Sequence, residues 1–206
     1  MNLYDRYCLP CLINLVCGSA LFHDLRAKAV GRAEGRVLEI GMGGGQNLPF
    51  YAADKVGCVC GIEPSALLRG KAAEVARSCA VPVEIVDAVA EKLPLESGSF
   101  DTVLFTFTLC TVTEWEATLQ EARRVLKPEG RIIFCEHGIA PDPSCRKWQN
   151  RLNPLWKRVS GGCNLNRPIP QLLEEGGFRI EGMTTGYFEG APKLLGYLYE
   201  GTGTKR

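Results

Sequence analysis

A chain of 206 residues has the length of one domain with an ample core rather than two. Hydrophobic residues at 46% and charged residues at 23% are ordinary for a soluble globular protein. A net charge of +1 excludes a global field that would draw the chain to nucleic acid or to an acidic membrane.

The N-terminus carries Tyr4-Asp5-Arg6-Tyr7 where a secretory signal would need its apolar core, and no A-x-A-like cleavage site follows. The ten cysteines are therefore expected to be reduced thiols in the cytoplasm, several of them packed as small hydrophobes in strands (Cys58, Cys60, Cys135). Cys8-Leu9-Pro10-Cys11 has C-x-x-C spacing, but no second C-x-x-C or C-x-x-H completes a tetrahedral set, so no metal site is expected. The apolar run from Cys8 to Phe22 is shorter than the roughly 20 residues that span a bilayer and contains Pro10 and Asn14. It favours a helical lid over the core (residues 1–34) above an interfacial membrane helix, and no stable membrane insertion is expected.

Next comes Arg36-Val37-Leu38-Glu39-Ile40-Gly41-Met42-Gly43-Gly44-Gly45-Gln46-Asn47, a buried strand running into a glycine turn and a helix. Glycine is required where the backbone takes positive φ or lies against a ligand. The spacing E-x-G-x-G-x-G fails the dinucleotide pattern G-x-G-x-x-G, because Gln46 stands where its third glycine would be. A second apolar strand, Cys58 to Ile62, ends in Glu63-Pro64. A carboxylate at the tip of the second strand of a doubly wound sheet can accept both ribose hydroxyls of an adenosine; an isolated Glu would more often be a cap or a solvated carboxylate, but this spacing suits one βαβ unit.

Further strands read as VEIV, TVLFTF and RIIFCE. A helix is expected from a capping box at Thr113–Glu116, with Trp115, Leu119, Ala122 and Leu126 on one face. Its stop is expected at Lys127-Pro128-Glu129-Gly130. Alternating strands and helices argue a parallel sheet covered on both faces. The alternation breaks over residues 139–170, an insertion of helix plus loop on the side where specificity is usually built. A short helix at Gln171–Glu175 follows, and Phe178–Thr184 with Leu194–Tyr199 suggests a closing antiparallel hairpin.

Together VLEIGMGGG, GIEP, AEKLPLESGSFDTVLFTFTLCTV and LQEARRVLKPEGRIIFCEHG resemble the class I S-adenosylmethionine-dependent methyltransferases, type 11 group. The strings TFTLCTV, FCEHG and NPLWKRVSGGCNLNRP resemble more narrowly the small-thiol S-methyltransferases of animal endoplasmic-reticulum membranes. The resemblance implies a Rossmann-like α/β domain with S-adenosylmethionine as cofactor and a small thiol or hydrogen sulfide as acceptor. The alternatives are an O-, N- or C-methyltransferase on a small hydrophobic, lipid or quinone acceptor, or a non-catalytic binding protein. Carried over by position, Gly41, Gly43 and Gly45 lie close to the cofactor, Glu39 near its methionyl amine, Asn47 just past the turn, and Thr106 on the methionyl pocket. Glu63 binds the ribose and Pro64 flanks the adenine. Relatives place an Asp on the adenine amine where this chain has Val89, which leaves the Ala90 backbone and Glu91 to that task. Tyr4 and Tyr7 match lid residues of the resembled family, with core packing as the plainer alternative. His137, just past RIIFCE, is expected to take the acceptor's proton or to fix its loop, and Asn164 to face the substrate or cap a helix. His23 reads as a surface or capping residue.

Overall fold

The computed structural model describes residues 19–206; Tyr4, Tyr7, the Cys8–Cys11 pair and most of the expected lid lie outside the described residues. The elements in chain order are α1 (His23–Val30), β1 (Gly35–Ile40), β2 (Val56–Ile62), α2 (Ala66–Ala76), β3 (Val83–Val86), β4 (Phe100–Thr106), α3 (Trp115–Val125), β5 (Leu126–His137), α4 (Pro143–Val159), α5 (Ile169–Glu175), β6 (Phe178–Tyr187) and β7 (Tyr197–Lys205). They build one seven-stranded sheet in the order β3-β2-β1-β4-β5-β7-β6. The first five strands pair in parallel, and β7 runs antiparallel to both β5 and β6. The Rossmann-like α/β architecture with a C-terminal antiparallel hairpin is the one expected, with the hairpin strands longer than their apolar runs suggested.

Burial on both faces explains why the central strands are continuous apolar runs. Leu38, Ile40, Phe105 and Phe134 face α3 and α5, which contribute Leu119, Ala122, Leu172 and Leu173. Val37, Val59, Leu104 and Ile133 face the other way, towards Ala29 and Val30 of α1 and Ala72 of α2. Helix α1 and the turn after it are further tied to the sheet by Lys28 and Arg32, whose side chains reach Glu200 of β7 at 2.9 and 2.7 Å.

Three expectations differ from the structure. The helix expected directly after the glycine turn does not form: only the short 3-10 turn Leu48–Phe50 lies between β1 and β2. The capping box does not form: Glu114 occupies the cap position without a side-chain hydrogen bond, and α3 starts at Trp115. The stop at Lys127–Gly130 is part of β5 instead, because the chain turns from helix to extended backbone at Leu126. The last helical turn carries Arg123 and Arg124, which suit the negative end of the helix dipole. Arg124 also pairs with Glu121 at 2.6 Å. Within residues 139–170 the helix is α4. Among the described residues, no helix is long and apolar enough to cross a membrane.

Candidate functional site

The strand order reverses between β1 and β4: from β1 the chain first builds outward through β2 and β3, then returns to place β4 on the other side. The crevice beyond the carboxyl ends at such a switch point is where open α/β sheets bind ligands. The glycine turn lies there. Gly41 has φ +75°, and a Cβ would sit 2.5 Å from Thr108 Oγ1, which is itself held by a 3.0 Å bond to the Ile40 carbonyl. Gly45, at φ +83°, would place a Cβ 3.1 Å from Ala72 Cα. Both glycines therefore have packing reasons of their own. Gly43 would meet only the flexible end of Gln46 within 3.0 Å, which leaves it open to a ligand.

Glu39 points from β1 into the face covered by α1 and is 1% exposed. It accepts hydrogen bonds from Asn47 Nδ2 at 2.9 Å and the Tyr51 hydroxyl at 2.8 Å. Asn47 Nδ2 also donates to Thr106 Oγ1 at 2.8 Å, and Arg26 of α1 donates to Asn47 Oδ1 at 2.8 Å. Glu39, Asn47 and Thr106, named separately from the sequence, thus form one buried network. Arg26 and Tyr51 complete it. Burial pushes the Glu39 carboxyl up to about 7 against the pull of Tyr51, Arg26 and Asn47.

That shift has a consequence for stability. The folded state holds the Glu39 proton more tightly than the unfolded chain, so this contribution is complete below about pH 4.5 and is lost as pH rises to about 7. The loss amounts to about 3 kcal/mol. Denaturant unfolding of the ligand-free protein at stepped pH should show the decline, and Glu39→Gln should flatten it.

On the β2 side, Glu63 is 7% exposed and accepts from the backbone amides of Gly43 at 3.0 Å and Ser65 at 2.8 Å. Burial raises its pKa against those two bonds and Arg69. The acid at the strand tip thus also fastens the glycine turn. Arg69, from α2, donates to the carbonyls of Glu63 and Pro64 and pairs with Asp87 just past β3 at 2.6 Å. Beyond Asp87, the Val89 carbonyl accepts from Lys92 at 3.2 Å, closing a turn that carries Ala90 and Glu91; Val89 is half-exposed at the rim.

The third wall comes from the loop after β4. Phe107 has φ +55°, the one positive-φ residue other than glycine among the described residues, a strained conformation of the kind that clusters at functional sites. It redirects the chain so that the amides of Thr108 (2.7 Å), Leu109 (3.0 Å) and Cys110 (3.2 Å) all donate to the carboxylate of Glu136, which is fully buried on β5. Burial raises the Glu136 pKa despite those three bonds. His137 follows, its Nε2 3.0 Å from Cys163 Sγ in the loop after α4. Burial lowers the His137 pKa, but the Cys163 hydrogen bond and the neighbouring Glu136 carboxylate outweigh it, so the net direction is upward. Cys110 joins them: the ligand atoms of Cys110, His137 and Cys163 all lie within 4.8 Å of one another. Asn164 holds this corner together, donating through Nδ2 to the carbonyls of Cys110 at 3.0 Å and Gly162 at 2.9 Å. His23 lies apart from it, edge-on to Phe50.

Comparison with known proteins agrees with this geometry. Residues 38–134 match the family described as "Methyltransferase domain". Thiol S-methyltransferase TMT1B of Rattus norvegicus is 35% identical over 160 residues, covering 77% of this chain and 66% of that protein. Thiol S-methyltransferase TMT1A of Homo sapiens is 33% identical, with the same coverage. The chain thus spans slightly less than two thirds of the length of these curated relatives. Over a shorter stretch of 65 residues, the demethylmenaquinone methyltransferase of Clavibacter sepedonicus is 46% identical, covering 32% of this chain and 26% of that protein. Among solved structures, a SAM-dependent methyltransferase from Leishmania major superposes with a TM-score of 0.72 at 17% identity, covering 98% of this chain and 80% of that one.

Proposed function

We propose that this chain, which carries a methyltransferase domain over residues 38–134, transfers the methyl group of S-adenosylmethionine to the sulfur of a small thiol or hydrogen sulfide. One observation carries the cofactor half of this reading: two buried acids, Glu39 and Glu63, frame one glycine turn at the switch point of a parallel sheet. Glu39, oriented by Asn47 and Tyr51, meets the methionyl ammonium, with Thr106 beside it. Glu63 takes the ribose hydroxyls, Gly43 lies against the cofactor backbone, and Pro64, Ala90 and Glu91 border the adenine. The acceptor half rests on the corner of Cys110, His137, Cys163 and Asn164, gathered beyond the carboxyl ends of β4 and β5, and on the likeness to proteins named thiol S-methyltransferases. The seven free cysteines among the described residues suit a reducing compartment, and the cytoplasm is the expected location.

Methyl transfer from a sulfonium is a single displacement, so the protein's task is alignment and exclusion of water. The cofactor ammonium favours charged Glu39, so binding must expel its proton below pH 7. Affinity for S-adenosylmethionine should therefore rise with pH by up to about tenfold per unit and level off above about 7. Calorimetry at stepped pH reads this directly, and Glu39→Gln should remove the slope.

The acceptor is tested with a panel of alkyl thiols, hydrosulfide, phenols, amines and quinols, each offered with methyl-labelled cofactor. Label should appear on the sulfur compounds. Label on quinols alone would favour the activity suggested by the menaquinone-pathway relative's name instead.

A further inference from the structure

We propose that Cys110, His137 and Cys163 hold a zinc ion whose open fourth position takes the acceptor thiol as a thiolate. The inference deepens the thiol-methylation reading and rests on it for the identity of the fourth ligand.

Three elements distant in sequence meet here: the loop after β4, the end of β5 and the loop after α4. Each contributes one zinc-ligand side chain. Their ligand atoms all lie within 4.8 Å of one another, with His137 Nε2 and Cys163 Sγ at 3.0 Å. In a tetrahedral site with zinc–sulfur bonds of about 2.3 Å and zinc–nitrogen bonds of about 2.0 Å, neighbouring ligand atoms stand roughly 3.5 Å apart. The observed spacings bracket that value, so side-chain adjustment alone closes the site.

The surroundings hold the three groups in place. The Cys110 amide is fixed on Glu136, and its carbonyl accepts from both the backbone amide and the side chain of Asn164, at 2.8 and 3.0 Å. Those bonds lock Cys163, the residue before Asn164, against Cys110. Arg167 braces the same loop through the carbonyls of Leu109 and Val112. Cys135, by contrast, is fully buried among the aliphatic side chains of one sheet face and needs no such scaffold.

The donor count sets the chemistry. Structural zinc sites are closed by four protein ligands, whereas three leave a position for substrate. Among the described residues the group stops at three. A small thiol replaces water at the fourth position, its proton passing to solvent, because a zinc-bound thiol is deprotonated outright. The thiolate sulfur then forms a bond to the methyl carbon as the carbon–sulfonium bond breaks. Thiolate and sulfonium charges cancel, and the products are a neutral thioether and S-adenosylhomocysteine. In this arrangement His137 is a ligand rather than a free base.

The test uses the full chain. Elemental mass spectrometry should find one zinc per chain, and Cys163→Ser and His137→Ala should each weaken zinc binding about 100-fold in competition with a chromogenic chelator. Cys79→Ser should not. Cobalt in place of zinc should give thiolate charge-transfer absorption in the unaltered protein, where misfolding of a variant is not in question. Its ligand-field bands should shift when an alkyl thiol is added. Metal-depleted protein should still bind S-adenosylmethionine but methylate thiols at least about tenfold more slowly, with zinc restoring the rate. A chain that competes for no zinc overturns the proposal, as does a cobalt spectrum indifferent to thiol. Thiol ligation seen in a chain that transfers no methyl to sulfur supports the ion site and removes the thiol-methylation reading.

Discussion

Replacing Glu63 with alanine should weaken S-adenosylmethionine binding by about 2 kcal/mol or more, roughly 30-fold, because two ribose hydroxyls lose a charged acceptor. The structure adds a second reason. Glu63 also accepts the Gly43 and Ser65 amides, so its loss frees the turn that must lie against the cofactor. Glu63→Gln should fall between wild type and alanine, since it keeps one carbonyl oxygen for either task. Titration calorimetry with all three proteins checks the order. Near wild-type affinity in the alanine variant would remove the ribose assignment.

Glu136→Ala should have the largest effect on stability. It strips the acceptor from three amides, those of Thr108, Leu109 and Cys110, in a place closed to water. Buried donors left without partners cost about 1–3 kcal/mol each. Relaxation of the loop limits the total, so a loss of about 4 kcal/mol is expected in denaturant unfolding. Transfer to thiols should fall with it, because Cys110 moves off Cys163 and His137, whereas affinity for S-adenosylmethionine should change far less. A variant with unaltered stability would show that the loop after β4 is held elsewhere.

How far the sequence foretold this molecule depends on the range of the interactions involved. The strands β1, β2, β4 and β5 are legible because burial on both faces makes them unbroken apolar runs, and the glycine spacing marks the turn between β1 and its crossover. Cap geometry is not legible at Thr113–Glu116. The letters of a capping box are present, but the helix begins at Trp115 with Glu114 at the cap position and no side-chain hydrogen bond there. The same limit applies to the site. Glu63 is legible from its spacing to the glycine turn, whereas Glu39 and Asn47 are reached only through the family resemblance. Arg26 reaches Thr106 across 80 positions, and Glu136 serves amides 26 to 28 positions earlier. The acid in Ile132-Ile133-Phe134-Cys135-Glu136 was nonetheless a usable signal, since a carboxylate in a buried strand must find donors. The meeting of Cys110, His137 and Cys163 carried no such signal: no two share a local spacing motif, and only the fold brings them together.

The central claim is methyl transfer from S-adenosylmethionine to sulfur, and one acceptor tests it without comparison between compounds. A short mercaptoalcohol offers a thiol and a hydroxyl on the same small skeleton. Incubated with the full chain and cofactor bearing a deuterated methyl group, it should yield the S-methyl thioether as seen by mass spectrometry, with the hydroxyl free. A methyl ether as the main product, or unmodified acceptor beside a chain shown by calorimetry to bind the cofactor, would contradict the account.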